Sequence, residues 1–363
     1  MQGSAPQHPL RWPVTVLTGM LGSGKTTLLR SLLADPALRG TAVLVNEIGE
    51  VGIDHHLIER IDGETVLMQS GCLCCSLKAD LPQTLAALRR RWLSDDRFEL
   101  HRVIIETTGL AEPAPILHEL AVNPLTLGEF PLASVIATAD AQHLDHQLRT
   151  RPESRLQIAL ADLLVLTKTD LVDEDVADRA RANLASVNSE ASILSVVSGH
   201  IDADVLAPFL RVGGGVVRSM AGIEAHRFSR PDQPGTNKGL TTQPVPSHAH
   251  HEHAHHEVGS LTLRSTAPLD WDRFARFLVA LTKALPADLL RVKGVLDISR
   301  CAQPVVVNGV HDAFYPAEML AEWPDADRGS SLVLIVDHMP RHRTRISELA
   351  RESDLGWEAT DST

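Results

Sequence analysis

Between residues 14 and 220 two hydrophobic patterns alternate along the chain. Short, nearly unbroken apolar runs occur at Val14–Leu17, Thr41–Val45, Val103–Ile105, Ala133–Ala137 and Leu163–Leu166. Runs of this kind fit strands of a parallel sheet covered on both faces. Between them, Thr27–Leu33, Leu81–Leu93 and Val176–Ala185 place apolar residues at helical spacing among good helix formers. The repetition is strand–helix–strand, which predicts an α/β domain with a doubly wound, mostly parallel sheet.

The pattern then breaks. Residues 211–257 carry Gly213-Gly-Gly215, scattered Pro and Ser and a histidine tract, with no sustained apolar period. From Gly259 it resumes as a strand over Ser260–Arg264 and a helix over Trp271–Leu285. Further strands are predicted near Val292–Ser299, Val305–Asn308 and Ser331–Asp337. One amphipathic helix with about four strands makes a smaller C-terminal α+β domain. The predicted organisation is therefore a first domain over 12–212, a flexible linker over 213–257, a second domain over 258–340 and a poorly ordered polar tail over 341–363.

Composition adds limits. The 363 residues hold 34 Lys and Arg against 46 Asp and Glu, a net charge of −12. So acidic a chain is a poor binder of nucleic acid, which needs cations on phosphates. No apolar run approaches the roughly 18–20 residues of a membrane span, and the first residues lack the pattern of a secretory signal. A cytoplasmic protein is the expectation. Three of the four cysteines lie in Gly71-Cys-Leu-Cys-Cys75, and six of the 18 histidines lie between His248 and His256. Clustering in this context points to metal or redox chemistry rather than to a disulfide framework.

The segment Gly19-Met-Leu-Gly-Ser-Gly-Lys-Thr26 matches G-x-x-x-x-G-K-[ST] and joins the first predicted strand to a helix. Gly19, Gly22, Ser23 and Gly24 would let backbone N–H groups converge on phosphate oxygens at a helix N-terminus. Lys25 would reach the β- and γ-phosphates, the Thr26 hydroxyl would ligate Mg²⁺, and Thr27 continues the cradle. A second loop, Thr167-Lys168-Thr169-Asp170, follows a buried strand. Its Asp170 would accept two hydrogen bonds from the guanine edge while the Lys168 stem covers the base. Adenine cannot supply those donors, so GTP is favoured over ATP. Thr167 stands where such loops usually carry Asn.

Val103-Ile-Ile-Glu106 ends a strand on a carboxylate suited to the magnesium waters. Gly109 beyond it would let a backbone N–H sense the γ-phosphate. Cys72, Cys74 and Cys75 suit Zn²⁺ or neighbouring ions, with redox cycling of Cys72 and Cys75 or plain core packing as the rival readings. Without a fourth cysteine nearby, a Glu, His or water would complete a metal set. Glu47, Glu50 and Asp54 follow the second strand. Glu50 is the candidate oxygen ligand, against a merely solvated acidic loop.

Taken in order, the phosphate loop, Asn46-Glu-Ile-Gly-Glu-Val-Gly-Ile-Asp54, Gly71-Cys-Leu-Cys-Cys75, Glu106-Thr-Thr-Gly-Leu-Ala-Glu-Pro113 and Thr167–Asp170 resemble the CobW family of metallochaperone GTPases, related to HypB and UreG. The resemblance extends over residues 12–338. It implies a P-loop GTPase that binds zinc at Cys72, Cys74, Cys75 and Glu50 and transfers it to a client apo-metalloprotein, with GTP hydrolysis driving the step. The cysteines leave cobalt, for cobalamin synthesis, and iron or cobalt, for a nitrile hydratase, as alternative cargo. The tract of His248, His250, His251, His253, His255 and His256 is similar to His-rich insertions of the family. It reads as a loose metal reservoir or as a solvated linker, and a zinc store built on it is the rival function.

Overall fold

The computed structural model describes residues 11–45, 67–69, 73–95, 99–124, 126–212, 258–324 and 328–361. The first domain is a seven-stranded parallel sheet of β1 (Val14–Gly19), β2 (Thr41–Val45), β3 (Leu67–Gln69), β4 (Arg102–Glu106), β5 (Leu132–Asp140), β6 (Leu163–Thr167) and β7 (Ser192–Ser195). Its order is β3-β2-β4-β1-β5-β6-β7, with every pairing parallel. Around it run helices α1 (Lys25–Leu33), α2 (Leu73–Ser94), α3 (Ala114–Val122), α4 (Leu144–Thr150), α5 (Pro152–Ala159), α6 (Glu174–Val187) and the short α7 (Ala203–Leu206).

Successive strand residues feed two cores. Val16, Val103, Ile105 and Val135 pack with Leu85, Leu117 and Ile158 of α2, α3 and α5. Leu17, Ile104, Ile136 and Val165 pack with Leu28, Leu29 and Leu32 of α1 on the other side. Period-two side chains covered on both faces explain why the strands read as unbroken apolar runs. The five predicted strands are present, and α1, α2 and α6 contain the three predicted helices. Two strands, β3 and β7, carry too short a pattern to be read.

The second domain is an antiparallel sheet of β8 (Gly259–Ser265), β9 (Leu289–Leu296), β10 (Val305–Val310), β11 (Ala313–Phe314), β12 (Glu318–Met319), β13 (Ser330–Val336) and β14 (Glu358–Asp361). Its main path is β11-β10-β9-β13-β8-β14, and β12 pairs with β10. Helices α8 (Trp271–Ala284) and α9 (Met339–Glu352) lie on one face.

The expected polar tail over 341–363 is corrected here. It holds most of α9 and then β14, which pairs with β8 through Glu358–Arg264 to Asp361–Leu261. Ile346, Leu349 and Ala350 form a narrow apolar stripe, and Leu355 and Trp357 close the core beyond it. The stripe is easily missed among the charges of Arg341, Arg343, Arg345, Glu348 and Arg351. The linker predicted over 213–257 lies outside the described residues.

The two domains share a core. Leu290, Val333 and Ile335 of the second sheet join the cluster that includes Ile158, Leu160 and Ala161. Arg291 and Lys293, alternating with Val292 on β9, are buried in the same interface. There Asp162 accepts from Arg291 Nη2 at 2.9 and 3.1 Å, and Lys293 Nζ lies in direct contact with it. Arg291 Nη1 also donates to the Leu160 carbonyl at 2.6 Å, and Tyr315 Oη donates to the Leu117 carbonyl at 2.6 Å.

Candidate nucleotide-binding site

The carboxyl ends of β1, β4, β5 and β6 meet where the strand order reverses, the usual place for a ligand in such a sheet. β1 ends on Gly19, whose φ of +134° disfavours any L side chain. A Cβ there would lie 2.4 Å from the Thr138 carbonyl. The loop turns through Gly22 and enters α1 at Gly24, which caps the helix in a left-handed conformation.

Lys25 Nζ donates to the carbonyls of Gly19 at 2.8 Å and Met20 at 3.2 Å, so its ammonium is folded back over the loop. Burial lowers the Lys25 pKa, and the Glu106 carboxylate opposes that shift. Thr26 Oγ1 donates to Glu106 Oε1 at 2.8 Å. A hydroxyl and a carboxylate side by side are the hard oxygen donors that Mg²⁺ takes, so Thr26 and Glu106 fit the magnesium of a bound nucleotide.

Gly109 packs on the loop itself. A Cβ at Gly109 would fall 2.3 Å from Leu21 N and 2.5 Å from its Cα. From the other side Gln157 Nε2 donates to the carbonyls of Gly109 at 3.3 Å and Ala111 at 3.1 Å. The segment after β4 therefore touches the phosphate loop backbone directly and is braced by α5.

The second loop joins the same site. Thr167 Oγ1 lies 2.7 Å from the Ser23 carbonyl and 3.1 Å from that of Ala139, tying the two loops together. That gives the substitution at the usual Asn position a physical role. Ser23 Oγ hydrogen-bonds Thr138 Oγ1 at 2.6 Å. Lys168, at φ 57°, donates through Nζ to Asp140 Oδ2 at 2.6 Å. Burial pushes the Asp140 carboxyl up, but hydrogen bonds from Lys168, His143 and the Gln142 N–H outweigh it and hold it below the ordinary carboxylate range. Asp170 lies exposed in the next turn, its carboxylate free of the core.

Thr138, Asp140 and Gln157 were not readable as site residues. Each acts through contacts 28 or more positions distant in sequence, and none belongs to a local motif. Thr27 is exposed on the first turn of α1. Glu50, Cys72 and the histidines from His248 to His256 lie outside the described residues. Cys74 and Cys75 fall in the first turn of α2. The register does align the strands that lead into these segments: Val45 of β2 pairs with both Gln69 of β3 and Glu106 of β4. Cys301 is a free, exposed thiol in the second domain.

Comparison with known proteins bears on this geometry. Residues 13–195 match the model of the CobW/HypB/UreG nucleotide-binding domain, and residues 258–349 match the cobalamin synthesis protein cobW C-terminal domain. The chain is 30% identical over 336 residues to the zinc chaperone YjiA of Escherichia coli, covering 92% of this chain and 96% of that protein. It is 29% identical over 371 residues to the zinc chaperone CobW of Pseudomonas aeruginosa, covering 92% and 90%. The crystal structure of Zn(II)-bound YjiA GTPase superposes with a TM-score of 0.63 at 26% identity, covering 94% of this chain and 98% of that one. With both domains matched and a complete phosphate loop in place, the chain belongs to the CobW/HypB/UreG family of P-loop nucleotide-binding proteins.

Proposed function

We propose that this P-loop GTPase is a zinc metallochaperone: it binds zinc at Cys72, Cys74, Cys75 and Glu50 and gives it to an apo-metalloprotein under control of the bound nucleotide. One observation carries the coupling. Val45, Gln69 and Glu106 lie in register at one rim of the sheet, so β2 and β3, the strands that precede Glu50 and the cysteines in sequence, end beside the carboxylate that faces Thr26. A change at the γ-phosphate then acts on neighbouring segments rather than over a long distance.

In this reading Lys25 moves from the Gly19 and Met20 carbonyls to the β- and γ-phosphates. Thr26 would hold magnesium, which would neutralise phosphate charge when bound, and Glu106 beside it would support the ion. Gly109 presents its N–H towards the γ-phosphate. Asp170 selects guanine. Ser23, Thr138 and Thr167 fix the two loops to one another, and loss of the γ-phosphate relaxes the rim and weakens zinc binding. The near full-length likeness to proteins named zinc chaperones supports zinc as the cargo.

The test is Cys74→Ser in the full chain. Tight zinc binding is expected to disappear while guanine-nucleotide binding survives. Unchanged zinc affinity would reject the site. Deleting residues 248–256 separates this reading from zinc storage: a chaperone keeps one tight site, whereas a store loses most of its capacity.

A further inference from the structure

The second domain carries a histidine–aspartate cluster that the nucleotide site does not use. Its residues come from three places. Asp288 precedes β9, Asp337 and His338 follow β13, and His342 lies in the first turns of α9. The Asp337 N–H donates to the Asp288 carbonyl at 2.7 Å, which locks the two loops together. His338 adopts φ 54° and turns the chain from strand into helix. Ligand atoms of Asp288, Asp337 and His338 all lie within 4.8 Å of one another.

One oxygen of each carboxylate accepts a hydrogen bond within the cluster. Asp288 Oδ2 accepts from His342 Nε2 at 2.6 Å, and Asp337 Oδ1 accepts from the His338 N–H at 2.9 Å. The remaining oxygens, Asp288 Oδ1 and Asp337 Oδ2, each stand 3.6 Å from His338 Nδ1. That separation is too long for a hydrogen bond. It is close to the edge of a metal polyhedron: bonds of about 2.0–2.1 Å in a tetrahedron put ligand atoms about 3.3–3.4 Å apart. The oxygens held elsewhere supply the outer support that orients ligating carboxylates.

We infer that Asp288 Oδ1, Asp337 Oδ2 and His338 Nδ1 form a binding site for a divalent transition-metal ion, with His342 positioning Asp288. The donor set is one imidazole and two carboxylates without a thiolate. It suits Zn²⁺ and Co²⁺ and leaves a coordination position open to solvent or to a partner's ligand. The four side chains are 10–33% exposed, so the site is accessible from the surface. The site also lies at the entry to the second domain, since Val336 pairs with Gly259 and the histidine tract ends at His256. This inference stands apart from the cysteine site, and either can fail without the other.

The probe is Co²⁺ added to the full chain in excess Mg²⁺ and without nucleotide. Cys72, Cys74 and Cys75 are changed to Ser and residues 248–256 are deleted to silence the other candidate ligands. One equivalent should bind, giving visible d–d bands without a thiolate charge-transfer band, and Zn²⁺ should displace it. Asp337→Asn and His338→Asn should each weaken binding by about 10–100-fold or more, and His342→Gln by about tenfold. No stoichiometric Co²⁺, or an affinity untouched by the first two substitutions, overturns the site. Should the silenced background fail to fold by circular dichroism, His338→Asn in the intact chain should lower zinc stoichiometry by one. An unchanged count overturns the inference equally.

Discussion

Replacing Asp162 with Asn keeps the volume of the side chain but removes the carboxylate that contacts both Arg291 and Lys293. Asp162 is 1% exposed, Arg291 1% and Lys293 5%, so water cannot take over the lost contacts. Arg291 loses a charged acceptor at 2.9 and 3.1 Å and keeps the Leu160 carbonyl. Removing one partner of a buried ion pair costs about 3–5 kcal/mol. Lys293 can lighten that cost by giving up its proton, so about 3 kcal/mol is expected. The second substitution Arg291→Met removes the stranded cation, and the pair should show a coupling energy of about 1.5–3 kcal/mol. The assay is urea unfolding of the four chains of the cycle. Tryptophan fluorescence reports both domains, through Trp12 and Trp92 in the first and Trp271 and Trp357 in the second. Additive effects, with coupling near zero, would refute the claim that this ion cluster joins the domains.

Other outcomes follow from the same geometry. Burial brings Lys293 from 10.5 to about 7. Between those values the unfolded chain holds a proton that the folded one has released, so this group should make the chain more stable as pH rises from 7 towards 10.5; urea midpoints that stay flat or fall between pH 6.5 and 9, against an unchanged Lys293→Met chain, contradict this. Gly109→Ala forces a Cβ against the Leu21 backbone, where the 2.3 Å approach must open by about 1 Å. At about 1–3 kcal/mol, GTP affinity measured by calorimetry should fall by about 5–150-fold, and an unaltered Kd would show that this contact does not matter. Asp140→Asn releases Lys168 and should weaken guanine-nucleotide binding by about tenfold or more, with an unchanged GDP affinity as the opposing result. Asp170→Asn should narrow the preference for GTP over ATP by about 10–100-fold, and competition binding that shows the same preference would remove Asp170 from guanine selection.

The strands of the first domain were legible because both faces are buried, which leaves an unbroken apolar signature in the chain. The phosphate loop was legible because its chemistry is local: three glycines, Lys25 and Thr26 within eight residues. What escaped is distributed. Arg291 and Lys293 alternate with apolar residues, and on sequence alone such a strand has one wet face. In the fold that face meets Asp162, 129 positions earlier, and the wet face becomes a domain interface. Thr138 and Asp140 escaped for the same reason, since β5 ends beside loops whose sequences lie far away. The helix α9 was hidden by its charge, because its buried stripe is only one or two residues wide per turn.

The central claim is that nucleotide state governs zinc affinity. Its most direct test is a zinc titration of the full chain with Mg²⁺ and a non-hydrolysable GTP analogue, set against the same titration with GDP. The account predicts one tight, thiolate-dependent zinc site with the analogue, weakened about tenfold or more with GDP, which corresponds to about 1.4 kcal/mol of coupling. Equal zinc affinity in the two nucleotide states would contradict it.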